Sequence, residues 1–306
     1  MQITYLIINI LILLFAPFLM LGVIKKTKAF WSGRKGVTLL QPFWDFLRLM
    51  KKGAVYSKTT SWIFRVAPVV MLTTVIFAGL FVPLVNGFTI FNVQFAFIIF
   101  AYILGFGKFF SLLSALDTGS SFEGMGASRE ACFSTIVEPA FFITLASVGA
   151  LSQSYTFSSF KAIMANAGGY GVLLIMLVAF TLFVMLLIEG CRVPVDDPTT
   201  HLELTMIHEV MILDNSGIDL GLITWGAAIK IFLFEALIAN LVLPVLSDGW
   251  AILAFIAAIT LLSIIVGTLE SSMARFRMTH VFEFIFIMTL TALLVLALVV
   301  YRIYGS

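Results

Sequence analysis

The sequence predicts an all-α fold: a polytopic membrane helix bundle with about eight transmembrane helices and an interfacial amphipathic helix after the first. Three observations carry that prediction. Of 306 residues, 61% are hydrophobic and 11% charged, too few charges to coat a soluble chain of this length. Apolar runs of about 20 residues, long enough to cross hydrocarbon, recur eight times. Basic residues crowd the connections on one side of these runs and avoid the other.

The first run, about 2–24, is followed by its lysines instead of preceded by them, and no small-residue cleavage site closes it. It is therefore expected to be a retained span and not a signal peptide. The others fall at about 65–85, 91–114, 130–152, 170–190, 221–246, 249–270 and 281–304, within one membrane domain. Loops 25–64, 115–129, 191–220 and 271–280 then share one side. Ten of the 18 Lys and Arg lie in the first or at its boundary with the second span: Lys25, Lys26, Lys28, Arg34, Lys35, Arg48, Lys51, Lys52, Lys58 and Arg65. Arg129, Arg192, Arg275 and Arg277 fall in the other three, against only Lys161 and Arg302 opposite. The excess of positive charge makes that side cytoplasmic, and an even number of spans puts both termini outside.

Within the first loop, TLLQPFWDFLRLMKKG places polar Gln41, Asp45, Arg48 and Lys52 every three or four residues among aromatic and aliphatic neighbours. That spacing predicts a helix lying at the interface with one wet stripe. It suits a lipid-surface anchor, or a wall between the membrane and a cytosolic partner.

The third loop is acidic. Seven carboxylates fall between Glu189 and Asp219, with Arg192 the only fixed positive charge among them. Pro194 and Pro198 stop the fifth span from continuing as a regular helix. Thr200 and Glu203 have capping-box spacing, which predicts a short helix from about 200 to 213. Asp196 and Asp197 precede it, where the helix dipole favours anions. Such a cluster repels an anionic leaflet and suits a protein partner or a proton-collecting funnel; a solvated loop is the plain alternative. His201 and His208 share a face of that helix and are expected to meet solvent or a partner, with no metal site.

Lys108, Glu138, Lys230, Glu235, Glu270 and Glu283 lie in or at the edges of apolar runs. An ionised group at a span centre costs about 2.5–3.5 kcal/mol on insertion scales. Lys230 and Glu235, five residues apart, point in different directions round their helix, so each must find a partner elsewhere. Glu138 precedes Pro139, which is expected to disrupt its span and free a carbonyl. Six such groups favour an ion path over six separate structural pairs. Gly124-Met-Gly126 reads as loop punctuation, no Walker loop is present, and a net charge of +2 argues against nucleic acid as a partner. Two cysteines, Cys132 and Cys191, cannot by themselves ligate a cluster or a structural zinc.

Four segments together resemble the complex I subunit 1 family, which includes the membrane subunit of energy-converting [NiFe] hydrogenases and formate hydrogenlyase. GRKGVTLLQPFWDFLRL at 33–49 is similar to an Arg-x-Gly-Pro-x-x-x-Gln-Pro segment, with Val37 in place of the proline. LDTGSSFEGMGASREACFSTIVEP at 116–139 and LESSMARFRM at 269–278 resemble the hydrogenase branch. EGCRVPVDDPTTHLELTMIHEV at 189–210 resembles the Glu-x-x-Arg-x-Pro-x-Asp loop of both branches. Glu235, in KIFLFEALIAN, is instead similar to the span-six glutamate of the complex I branch.

The resemblance implies a subunit that clamps a peripheral redox arm to antiporter-like membrane subunits and holds no redox cofactor itself. Iron–sulfur clusters, and nickel–iron in the hydrogenase branch, would sit in hydrophilic large and small subunits on the cytoplasmic side of a prokaryotic cytoplasmic membrane. The proton path is expected to use Lys108, Glu130, Glu138, Glu189, Asp196, Asp197, Glu203, Lys230, Glu235 and Glu270. Docking is expected at Arg34, Lys35, Gln41, Asp45, Arg48, Asp117, Arg129, Arg192, Glu209, Arg275 and Arg277. The alternatives are a quinone-binding subunit of a true NADH:quinone oxidoreductase, with the amphipathic helix and loop 116–130 walling a quinone chamber, and a passive membrane anchor.

Overall fold

A computed structural model describes residues 2–84, 89–157, 169–197, 206–244 and 248–304. Among them, eight helices are long and apolar enough to cross a membrane. They are α1 (Gln2–Trp31), α3 (Trp62–Gly79), α4 (Ala96–Asp117), α5 (Ser121–Ser152), α6 (Gly169–Glu189), α7 (Gly217–Val242), α8 (Asp248–Ser272) and α9 (Met278–Tyr304). The short helix α2 (Gln41–Met50) lies in the first loop, where its polar spacing puts it.

The middle of the bundle is α7. It touches α1, α2, α3, α6 and α8, and 72% of its apolar stretch is buried, against 28% for α4, α8 and α9. Its side chains Ile229, Phe232, Leu233, Phe234 and Leu237 are all enclosed by neighbouring helices. On one flank α4 packs between α3 and α5, and on the other α1 packs on α8.

Helix α2 seats its apolar face on α7 and α1. Phe43 and Phe46 meet Phe18 at centroid distances of 5.5 and 5.4 Å, and Phe46 meets Trp225 at 4.9 Å. Such ring pairs contribute about 0.5–1.5 kcal/mol each beyond area burial, enough to hold a ten-residue helix that could not persist alone. Its wet stripe closes on itself through Gln41 Nε2 donating to Asp45 Oδ1 at 2.7 Å.

Three expectations change. Helix α5 begins at Ser121, not near residue 130, so the second loop shrinks to a turn around Gly119, whose φ of +72° suits glycine. Gly124 and Gly126 are therefore helical and not loop punctuation. Gly126 has a packing role: a Cβ there would come within 2.4 Å of Val210 and 2.9 Å of the Ile207 carbonyl. The absent side chain lets the segment after residue 205 lie directly on α5. Pro139, likewise, does not break α5, which runs unbroken through it to Ser152. Of the short helix expected over 200–213, residues 198–205 with Pro198, His201 and Glu203 lie outside the described residues; the rest forms a 3-10 turn, Glu209–Ile212.

Replacing Gly126 by Leu forces a side chain into the Ile207–Met211 contact. Overpacking of this kind costs about 1–3 kcal/mol. A lowered melting temperature of the solubilised protein is the expected outcome; an unchanged one would show that the segment does not rest on α5.

Candidate functional site: a buried charge network

Lys108, two turns from the end of α4, stands at the centre of the site. Gly107 beside it allows α4 to approach Thr74 of α3, which draws the lysine into the bundle. Its ammonium contacts Glu189 directly, Glu130 at 3.3 Å and Glu138 at 3.9 Å, and donates to Ser134 Oγ at 3.0 Å. Glu130, Ser134 and Glu138 are successive turns of one face of α5, so a single helix presents the ligands in a row. Glu189, the last residue of α6, is shared: its other oxygen accepts from Lys230 of α7 at 3.2 Å.

The network continues toward the loop. Glu130 Oε2 meets His208 Nε2 at 3.0 Å, and His208 Nδ1 faces Asp196 Oδ2 at 3.4 Å. Asp196 is fully enclosed; its second oxygen pairs with Arg275 at 3.0 Å. The backbone N–H groups of Asp197, Ile207 and His208 also donate to it. With the imidazole protonated, Lys108, Lys230, His208 and Arg275 balance Glu130, Glu138, Glu189 and Asp196, four charges against four.

Two cavities meet at the Lys108–Glu189 pair. One, of about 120 Å³, is lined by Glu130, Cys191, His208, Glu209 and Lys230 besides that pair. The other, of about 340 Å³, carries Glu138 and the aromatic rings of Tyr102, Phe106 and Phe142. Lys108 and Glu189 line both.

A second network lies on the α8 side. Glu270 pairs with Lys28 at 2.8 Å and with Arg192 at 3.1 Å. Glu235 turns to α8, where Ser263 Oγ donates to it at 2.8 Å, within electrostatic reach of Arg192. The structure thus brings Lys108, Glu130, Glu138, Glu189 and Lys230 together and joins Asp196 to them, while Glu235 and Glu270 stand apart. Asp197 is half-buried next to Asp196, and Glu203 lies outside the described residues. Glu283 is exposed and pairs with His280 at 3.0 Å.

The residues expected to dock a partner divide. Arg34, Lys35, Arg48 and Arg277 are exposed. Asp117 instead caps α3, accepting from the backbone N–H groups of Ser61 and Phe64. Arg129 donates to the Met206 carbonyl at 2.8 Å, and Arg192 and Arg275 are held in the internal ion pairs. Glu209 lines the smaller cavity. Reading the sequence missed His208, which it placed at the surface. No local spacing betrays it, because its partners come from α5 and from a loop residue twelve positions earlier.

Burial opposes the charged form of His208, but Cys191, Glu130 and Asp196 around it prevail and hold its pKa well above the ordinary imidazole range. Burial likewise opposes ionised Asp196, and the His208 ring, its N–H and Arg275 bring the carboxyl below its usual range. The stabilisation from His208 is complete below the unfolded imidazole value and is lost as pH rises through the raised pKa. That from Asp196 is complete above the unfolded carboxylate value and is lost as pH falls through the lowered one. Segment Ile207–Ile212 is therefore held most firmly between these limits. Amide hydrogen exchange there, corrected for its intrinsic pH dependence, is expected to accelerate at both extremes; a flat profile would remove His208 and Asp196 from the clamp.

Comparison with known proteins agrees with this architecture. Residues 3–301 match the NADH dehydrogenase family. The chain is 27% identical over 290 residues to formate hydrogenlyase subunit 4 of Escherichia coli K12, covering 91% of this chain and 92% of that one. It is 28% identical over 238 residues to hydrogenase-4 component C of the same organism, covering 77% and 73%. Its fold is similar to a chain of the membrane-bound sulfane sulfur reductase, an archaeal respiratory membrane complex, with a TM-score of 0.79, 17% identity and coverage of 96% and 97%. With eight apolar helices and a match over nearly its whole length, the chain belongs to the NADH dehydrogenase family, in its multi-pass, complex I subunit 1-like membrane form.

Proposed function

We propose that this chain is the membrane coupling subunit of a complex I-like energy-converting hydrogenase or related oxidoreductase. It docks a peripheral redox arm and links electron transfer there to translocation of protons or sodium. The observation that carries this reading is the run of charged contacts from Arg275 and Asp196, in the loops, through His208, Glu130 and Lys108 to Glu189 and Lys230 inside the bundle. A passive anchor has no use for ionic groups that cost about 2.5–3.5 kcal/mol apiece to insert. Likeness to a formate hydrogenlyase subunit and a hydrogenase-4 component supports the class of partner.

In this reading the basic side is cytoplasmic and both termini are external. The exposed Arg34, Lys35, Arg48 and Arg277 meet hydrophilic large and small subunits, which carry the iron–sulfur and nickel–iron centres. Electron transfer in that arm displaces the 190–210 loop or alters its charge. Because Glu189 is shared by two lysines, a change of charge at Glu130 shifts Lys108 between its carboxylates and opens or closes the passage between the two cavities. Antiporter-like subunits receive the charge beyond Glu138, whose side chain is half-exposed. Glu235 and Glu270 form a second branch, tied to the first by the loop that bears both Arg192 and Asp196.

Glu189→Gln and Lys108→Met, each in the intact complex in inverted membrane vesicles, are expected to keep redox turnover. Ion translocation per electron should fall at least about tenfold, which corresponds to about 1.4 kcal/mol on the transfer barrier. Full translocation in both variants would leave the chain a passive anchor.

A further inference from the structure

We infer that His208 is the proton-exchanging residue through which the smaller cavity charges and discharges Glu130, with Asp196 as the group that orients its ring. This rests on the coupling function proposed above and names a residue for it that neither the sequence pattern nor the comparisons single out.

The geometry is that of an oriented acid–base pair. Each ring nitrogen faces a different carboxylate, Nε2 toward Glu130 at 3.0 Å and Nδ1 toward Asp196 at 3.4 Å. The two carboxylates are not equivalent. Asp196 is saturated by Arg275 and three backbone N–H groups, all of which favour its anion. It therefore accepts from Nδ1–H and fixes the tautomer, leaving Nε2 as the exchanging nitrogen. Glu130 has no such cage. It accepts from Ser134 and sits 3.3 Å from Lys108, which has two further carboxylates to turn to. Gaining a proton there frees the lysine without leaving it alone.

The step balances simply. In the imidazolium state the Nε2–H bond breaks as an O–H bond forms on Glu130 Oε2, and the ring becomes neutral with Nδ1–H still donated to Asp196. Water in the cavity then returns a proton to Nε2, leaving hydroxide that exchanges with bulk solvent. The reverse sequence discharges Glu130. His208 keeps 18% of its side chain accessible and lines the cavity with Cys191, Glu130, Lys108, Glu189 and Lys230, so in the proposed role the ring borders a space open to solvent exchange. Asp196 is wholly enclosed and does not line the cavity, and Glu130, which does, keeps only 6% of its side chain accessible. The raised pKa of the ring keeps it charged near neutrality.

The test uses the intact complex in inverted vesicles. His208→Asn and His208→Gln each preserve a polar contact with one carboxylate but cannot carry a proton. Both are expected to keep redox turnover and to lose translocation per electron by about tenfold or more. In His208→Ala, added imidazoles of graded basicity should restore translocation to an extent that follows their pKa, a dependence that a purely structural role would not produce. Normal translocation in either the Asn or the Gln variant, while Glu189→Gln abolishes it, overturns the role of His208 and leaves the coupling function standing. Normal translocation in Glu189→Gln as well overturns the coupling function itself. Failure of all three His208 variants to assemble assigns the residue to folding and overturns the inference.

Discussion

A lysine inside hydrocarbon has to be neutralised by groups its own helix cannot supply. Lys108 meets that requirement by drawing Glu130 and Glu138 from α5 and Glu189 from α6 to one point, with Lys230 of α7 closing the far side. Four helices are thereby joined by charge where apolar packing alone is weakly selective, since lipid tails and leucine side chains attract a helix equally. The same constraint explains the spacing on α5, whose residues 130, 134 and 138 present a carboxylate, a hydroxyl and a carboxylate on consecutive turns.

Replacing a buried ion cluster with apolar side chains is often neutral or stabilising, so stability alone does not account for one. In this cluster a lysine has three carboxylates within reach, and a glutamate has two lysines, so more than one pairing is geometrically available. In the proposed coupling role, that multiplicity would let a proton gained or lost at the edge move charge in the interior, with the Lys108–Glu189 pair standing where two cavities adjoin.

The loop after α6 ties the periphery to this interior. Arg192 reaches Glu270 on α8, and Asp196, four residues on, reaches Arg275 and His208. A backbone bond from Asp196 N–H to the Arg192 carbonyl, at 3.2 Å, keeps the two in one turn. Segment 206–212, laid on α5 at Gly126, completes the cover. The acidic stretch that looks like a solvated surface in one dimension is folded inward at its two most consequential carboxylates, Glu189 and Asp196.

Eight spans, the interfacial helix and the asymmetry of basic residues follow from composition and periodicity, because transfer from water to hydrocarbon and helical geometry act on each segment by itself. The ionisable residues of the interior could be picked out for the same reason: a lysine at position 108 or a glutamate at 189 is costly wherever the bundle puts it. Which of them meet was decided only by tertiary structure. Lys230 and Glu235 are five residues apart on α7, yet one joins Glu189 and the other turns to Ser263. Arg192 and Arg275 read as surface charges and close internal pairs; His208 reads as a surface histidine and bridges two buried carboxylates. Ion pairing in a bundle depends on where separate helices cross, and those crossings are set by packing among residues far apart in the chain.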